Sequence, residues 1–241
     1  MFMHERVRKL VVWLPFAGSV DEGTHDGEGL VGQDYFQEIS ARMPNLTHLD
    51  LRMRLPIRFI HRSITTSLFP LLPRLQTLVL PNYHLSSPVL ATLSRLPNLG
   101  TIQFEYGPDQ GVGDITDVQH LSPQLEEGAF PGLWDLSLTA SLGDMVRFME
   151  MNSRRALANL TSLYVDCPRL QHAEDVFMFL KSVGEHCQVL KALYLELLWM
   201  DSSSIYPPRD DRITFETLQP LFACPKLTYV LITNGSPIVR Y

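Results

Sequence analysis

A single apolar pattern, Leu-x-x-Leu-x-Leu, recurs throughout the 241-residue chain and restricts its possible folds. The first apolar residues of successive copies lie 24 to 39 residues apart, a period typical of proteins built from one repeated supersecondary unit. No unit of this size can bury its apolar side alone, so neighbouring units have to stack. Starting from a weaker first copy, the apolar positions are Val7, Leu10 and Val12; Leu46, Leu49 and Leu51; Leu75, Leu78 and Leu80; Leu99, Ile102 and Phe104; Leu133, Leu136 and Leu138; Leu160, Leu163 and Val165; Leu190, Leu193 and Leu195; and Leu227, Val230 and Ile232.

The last two apolar positions of every copy are separated by one residue, which predicts a short strand. Alternate residues of a strand face opposite ways, so the leucines face a core and the residue between them faces outward. Apolar residues at helical spacing between the copies predict a helix in most units. We expect these helices at residues 35–42, 59–72, 88–96, 142–151, 171–186 and 215–222.

Together these elements predict an α/β solenoid that forms a single domain over residues 1–241, with about seven to eight irregular repeats. A parallel sheet would form its concave side, and helices or irregular segments its convex side. Segments rich in Gly, Pro, Ser and acidic residues interrupt three of the units between strand and helix. We expect these insertions, at residues 18–32, 107–124 and 201–211, to line one rim of the array.

Charge and hydropathy argue against two classes of partner. A formal net charge of -6, without any cluster of Lys and Arg, argues against nucleic acid. The longest nearly apolar run, residues 10–18, has about half of the roughly 20 residues that a membrane-spanning helix needs, so we expect no membrane partner. The 3 cysteines are odd in number and irregularly spaced, which favours a reducing compartment, cytoplasmic or nuclear.

Few motifs offer catalytic or cofactor chemistry. The run from Gly27 to Gly32 matches the G-x-G-x-x-G of dinucleotide sites, but an acidic segment separates it from the preceding strand, and a pyrophosphate site needs its glycines directly after the strand. Cys187 and Cys224 each lie three residues before the first leucine of a copy, so we expect buried thiols and not metal ligands. We therefore predict no enzyme, no cofactor and no metal site. A nucleotide-binding enzyme that uses the Gly27 to Gly32 loop stays as an alternative.

Three segments carry a family resemblance. Residues 43–51 (MPNLTHLDL) and 96–99 (LPNL) look like leucine-rich repeats. Residues 213–228 (ITFETLQPLFACPKLT) resemble the irregular repeats of fungal F-box proteins, particularly those of mushroom-forming basidiomycetes. The resemblance covers nearly the whole chain for the repeat class.

The resemblance implies a substrate-receptor role in a cullin-RING ubiquitin ligase, in which the F-box binds the linker subunit and the repeats bind a target. Only six residues precede Val7, whereas an F-box is a helical module of roughly forty residues. We therefore expect no F-box in this chain, an array that is incomplete at both ends, and linker-subunit binding only through an F-box outside it. A free-standing repeat scaffold without a ligase link is the alternative.

The outward strand positions predict a protein-binding surface. They are, in order, Val11, Asp50, Val79, Gln103, Ser137, Tyr164, Tyr194 and Leu231. Exposed tyrosines are favoured interface anchors, because they bury much area at a low entropic cost. We expect a protein partner with an apolar strip and basic residues to bind on the concave side, at Tyr164, Asp166, Tyr194, Glu196, Tyr229 and Leu231. The alternative is that these aromatics only reflect the preference of strands for such residues.

Overall fold

The computed structural model of the chain describes residues 6–14, 33–53, 72–80, 85, 87–104, 125–152, 157–167, 172–197 and 213–234. The three predicted insertions and the Gly27 to Gly32 loop lie outside the described residues. So does the helix predicted at 59–72, except for its last residue.

Strands and helices alternate along the chain. The strands are β1 (Lys9–Leu14), β2 (His48–Met53), β3 (Thr77–Leu80), β4 (Thr101–Phe104), β5 (Asp135–Thr139), β6 (Ser162–Cys167), β7 (Ala192–Leu197) and β8 (Tyr229–Asn234). The helices are α1 (Gln33–Arg42), α2 (Ser87–Leu93), α3 (Leu142–Asn152), α4 (Ala173–His186) and α5 (Phe215–Leu218), which continues into a 3-10 helix, η1 (Gln219–Ala223). The α/β class is confirmed, and every predicted Leu-x-Leu segment is a strand.

The chain divides into two compact units, Met1–Asp117 with Phe130–Gly132, and Val118–Ala129 with Leu133–Tyr241. In the first unit, β1 to β4 pair in chain order and all pairs are parallel. The register aligns equivalent apolar positions, since Leu49 lies opposite Leu78 and Leu78 opposite Ile102. These side chains are buried. The finer prediction of one leucine-rich-repeat solenoid stays a prediction.

The second unit repeats this arrangement with β5 to β8, again paired in parallel and in chain order. Leu136, Leu163, Leu193 and Val230 occupy the same position on successive strands. The inward side chains of β6 and β7 are fully buried while those between them are partly exposed, as period-2 burial requires. On the helical side, α4 packs against both α3 and η1.

A hydrogen-bonded turn leads into most of the strands. The N–H of the first leucine donates to the carbonyl oxygen three residues earlier, and proline often holds the second turn position, where its fixed φ suits the turn. Such prolines are Pro44, Pro73, Pro97 and Pro225. The donor and acceptor pairs are Leu46 to Met43 (3.1 Å), Leu75 to Leu72 (3.0 Å), Leu99 to Leu96 (3.4 Å), Leu160 to Leu157 (3.1 Å), Leu190 to Cys187 (3.1 Å) and Leu227 to Cys224 (3.2 Å).

Between repeats, one carbonyl oxygen accepts two N–H groups of the following repeat. In the second unit the pairs donate to Trp134 (Thr161 and Ser162), Thr161 (Lys191 and Ala192) and Lys191 (Thr228 and Tyr229), all at 2.8 to 3.1 Å. In the first unit they donate to Arg8 (Thr47 and His48), Thr47 (Gln76 and Thr77) and Gln76 (Gly100 and Thr101). These two hydrogen bonds to one carbonyl oxygen fix where each strand begins relative to the strand before it.

The last predicted helix, residues 215–222, is divided in the structure. It is α-helical only over Phe215–Leu218 and then tightens to the 3-10 helix η1. Pro220 explains the change, because it has no N–H to donate to the carbonyl four residues earlier. The other described helices begin and end within about three residues of the predicted ranges.

Replacing Gly184 with Ala tests the packing of α4 on η1. An added Cβ would lie 2.8 Å from the Pro220 carbonyl oxygen and 3.2 Å from Ala223 Cβ, so the backbone of η1 would have to move. We expect the free energy of unfolding to fall by about 1–3 kcal/mol, the usual cost of overpacking. Urea denaturation followed by circular dichroism measures it.

Gly143 on α3 is the matched control, because an added Cβ there meets nothing within 4 Å. Gly143→Ala should leave stability unchanged or raise it slightly, since Ala is the better helix former. Equal stability of the two variants would show that α4 and η1 do not pack as closely as described.

Candidate protein-binding face

The outward side of the second unit is a grid in which equivalent residues of adjacent strands are neighbours. Its middle row is Ser137, Tyr164, Tyr194 and Leu231, and its upper row is Thr139, Asp166, Glu196 and Thr233. The lower row is Asp135, Ser162, Ala192 and Tyr229. The parallel register therefore brings all six predicted site residues together. We call Tyr164, Asp166, Tyr194, Glu196, Tyr229 and Leu231 the tyrosine face.

Three aromatic rings form a ladder across β6, β7 and β8. The ring centroids of Tyr164 and Tyr194 are 6.2 Å apart, with an interplanar angle of 31°. Those of Tyr194 and Tyr229 are 5.1 Å apart, with an angle of 39°. Both separations lie in the range of favourable aromatic pairs. The three rings thus pack against one another across the strands.

Two carboxylates border the ladder, and each accepts a hydrogen bond from a hydroxyl group on a neighbouring strand. The Tyr164 hydroxyl donates to Glu196 Oε2. Thr139 Oγ1 donates to Asp166 Oδ2 at 3.1 Å. Because a hydroxyl is a neutral donor, these bonds orient the carboxylates without cancelling their charge.

The tyrosine face is accessible, most of all at β8. Tyr229 and Leu231 are 46% and 40% exposed, whereas Tyr164 and Tyr194 are half-buried. The outward positions of β5 to β8 carry two partly exposed carboxylates, Asp166 and Glu196, and a buried one, Asp135, and none of these positions is Lys, Arg or His. A partner that binds here meets aromatic surface next to negative charge.

The outward side of the first unit differs in chemistry and in exposure. Val11 is 41% exposed, but Asp50, at the equivalent position of β2, is only 5% exposed. Arg52 covers Asp50 and donates to both of its carboxylate oxygens at 3.0 to 3.2 Å. Burial lowers the pKa of His48, the charge of Lys9 lowers it further, and the charge of Asp50 acts against both.

Outward orientation therefore does not guarantee exposure, and the sequence reasoning was wrong to treat all these positions as open. Asp50 and Ser137 both face outward and are buried, at 5% and 6% exposure. Thr139 was not predicted as a partner of Asp166. The sequence contains the information for that prediction, because Thr139 lies three residues after Leu136 and Asp166 three residues after Leu163, which are equivalent positions of adjacent copies.

Cys187 and Cys224 are interior residues, as predicted. Both are buried, as is Cys167, and they hold the first position of the turns before β7 and β8. Burial, and then the neighbouring Cys224, raises the pKa of Cys187 to about 12, and burial raises the pKa of Cys224. Protonated thiols are poor nucleophiles and poor metal ligands.

Two kinds of feature are absent from the described residues. No group of three or more His, Cys, Asp or Glu side chains among them could hold a metal ion. Within the same residues, no helix is long and apolar enough to cross a membrane.

Comparison with known proteins assigns no family. No protein-family model matches the chain, and no curated protein matches it either. What the chain binds has therefore to be argued from its own surface.

Stability at alkaline pH tests the buried Cys187 thiol. Its folded-state pKa of about 12 exceeds the ordinary value of 9.0, so the folded state keeps a proton that the unfolded chain loses. The protonated Cys187 thiol therefore contributes to the free energy of unfolding below pH 9.0, and this contribution should be lost as the pH rises toward about 12. Cys187→Ala should cost about 1 kcal/mol at neutral pH and lose less stability than the wild type over the alkaline range.

Urea midpoints measured across that range provide the comparison, and Lys and Tyr titrations, common to both proteins, cancel in it. An identical loss of stability in wild type and variant would mean that Cys187 titrates normally.

Proposed function

We propose that this chain is a protein-binding module of the leucine-rich-repeat type and that the tyrosine face is its binding surface. The observation that carries the proposal is the ladder of three rings on adjacent strands, 6.2 Å and 5.1 Å apart. Tyrosine provides a large and rigid contact area with a polar tip, which makes it a frequent anchor of protein interfaces. A segment of a partner laid across the strands would meet all three rings.

The regular register supports the repeat-type assignment. Within each unit, in-register parallel strands with helices between them place equivalent residues on the same side of the sheet, as in repeat arrays. In a solenoid, that side would be the concave one. The tyrosine face then arises because two successive repeats carry tyrosine at one equivalent position (Tyr164 and Tyr194) and an acidic residue at another (Asp166 and Glu196).

The resemblance of residues 213–228 to fungal F-box proteins supports a finer proposal. The chain would be the substrate-recognition part of an F-box-type ubiquitin-ligase receptor acting in the cytoplasm or nucleus. Its linker subunit would bind an F-box outside this chain. To decide this point, the full transcript is sequenced and its product is tested for co-purification with a linker subunit. A transcript without an F-box would leave the free-standing repeat scaffold.

Display selection tests the binding function without knowledge of the natural partner. A random peptide library is selected on the immobilised chain, and the selected peptides are counter-screened on a Tyr164→Ala, Tyr194→Ala, Tyr229→Ala variant whose circular dichroism matches the wild type. The proposal expects peptides that bind the wild type and not the triple variant. If every selected peptide binds both equally, the tyrosine face is not the binding surface.

Single substitution at the centre of the ladder gives the quantitative prediction. Tyr194 contacts both neighbouring rings, so Tyr194→Ala should weaken binding of the selected peptides by about 1–3 kcal/mol, a typical hot-spot loss. Isothermal titration calorimetry measures the change.

Phe177 on α4, which is 37% exposed, is the matched aromatic control outside the sheet. Phe177→Ala should leave the affinity unchanged. Equal losses for Tyr194→Ala and Phe177→Ala would point to general destabilisation and against a contact at the ladder.

A further inference from the structure

We infer that the tyrosine face binds its partner through an arginine side chain, whose guanidinium group meets Glu196 while its flat side covers the ring of Tyr194. This inference rests on the proposed function, because it states what the partner brings to that face. Tyr194 and Glu196 are two residues apart on β7, so both project from the outward side of one strand.

Charge complementarity makes the occupant basic. Among the outward positions of β5 to β8, Asp166 and Glu196 are partly exposed acidic residues, and no outward position is Lys, Arg or His. Glu196 lies at the central strand pair, opposite Asp166 in the register, and adjacent strands are about 4.8 Å apart. A cation that a partner places at this strand pair would be attracted by both carboxylates.

The hydrogen bonding of Glu196 leaves it able to accept a further donor. The Tyr164 hydroxyl donates to Oε2, which holds the carboxylate at the polar tip of the Tyr164 ring. A carboxylate has about four acceptor positions on its two oxygens. Oε1 can therefore accept from a guanidinium N–H while the bond to Tyr164 stays in place.

The ladder favours arginine over lysine. A guanidinium is planar and weakly hydrated, so it can stack on a tyrosine ring and still donate in its own plane to a carboxylate. A lysine ammonium is strongly hydrated and cannot stack. The ring of Tyr194 is partly exposed and packs between those of Tyr164 and Tyr229, so a planar group would meet the aromatic surface that the three rings form together.

Peptides from the display selection on the wild-type chain test this inference. Each peptide that depends on the tyrosine face is resynthesised with every arginine replaced by lysine, and again by citrulline, which keeps the planar shape but has no charge. We expect affinity to fall about tenfold with lysine and further with citrulline, as loss of a charge-assisted bond and a stacked cation implies. Glu196→Gln should cause a similar loss for the arginine peptides and remove their advantage over citrulline.

Glu185→Gln on α4 is the control for the overall negative charge, because Glu185 is exposed and lies outside the sheet. It should change the affinity of the arginine peptides less than twofold, within the range of a rim charge. If Glu185→Gln and Glu196→Gln have the same effect, the attraction is not local and the inference is wrong.

The two proposals fail in different ways. Peptides that lose binding with Tyr194→Ala but bind equally with arginine, lysine or citrulline would overturn this inference and leave the binding face intact. A selection that returns no peptide sensitive to substitution of the tyrosines would overturn both.

Discussion

The carbonyl that accepts two N–H groups from the next repeat is the contact on which the rest of the arrangement depends. Thr161 accepts from Lys191 and Ala192, and Lys191 in turn accepts from Thr228 and Tyr229. Each strand therefore starts at a fixed place relative to its predecessor. A shift by one residue would exchange every buried leucine for an outward residue. The same contact that keeps the core apolar thus places equivalent outward residues side by side.

The strands were predictable because burial leaves a strong mark on the sequence. Leu163 and Leu193 are fully buried. The residue that follows each of them faces outward, and the next one is buried again. This alternation alone identifies the strand and its outward side. The neighbourhood of Tyr164 and Tyr194 was predictable for the same reason, given parallel in-register pairing. The side-chain contacts that a residue makes with the neighbouring strand were harder to predict from the sequence.

Side-chain contacts that cross the grid diagonally could not be read from the repeat. The Tyr164 hydroxyl reaches Glu196, two positions further along the next strand, and Arg52 folds back over Asp50 on its own strand. Both depend on side-chain conformations that local packing selects. The division of the last helix was available in principle, since Pro220 prevents the ladder of an α-helix from continuing. The repeat pattern does not predict this division, because the pattern treats every helix alike.

The proposed binding role accounts for a feature of the tyrosine face that sheet stability alone leaves unexplained. Cross-strand aromatic pairs stabilise sheets, so the tyrosines alone fit either role. Glu196 does not, because glutamate is disfavoured in strands and here lies opposite a second acid, Asp166. In the first unit the equivalent row includes Val11, Asp50 and Val79, and the one acidic residue in it is paired with Arg52. Under the proposed function, the carboxylates beside the aromatic ladder would attract a cationic partner and so contribute to binding and not to the stability of the sheet.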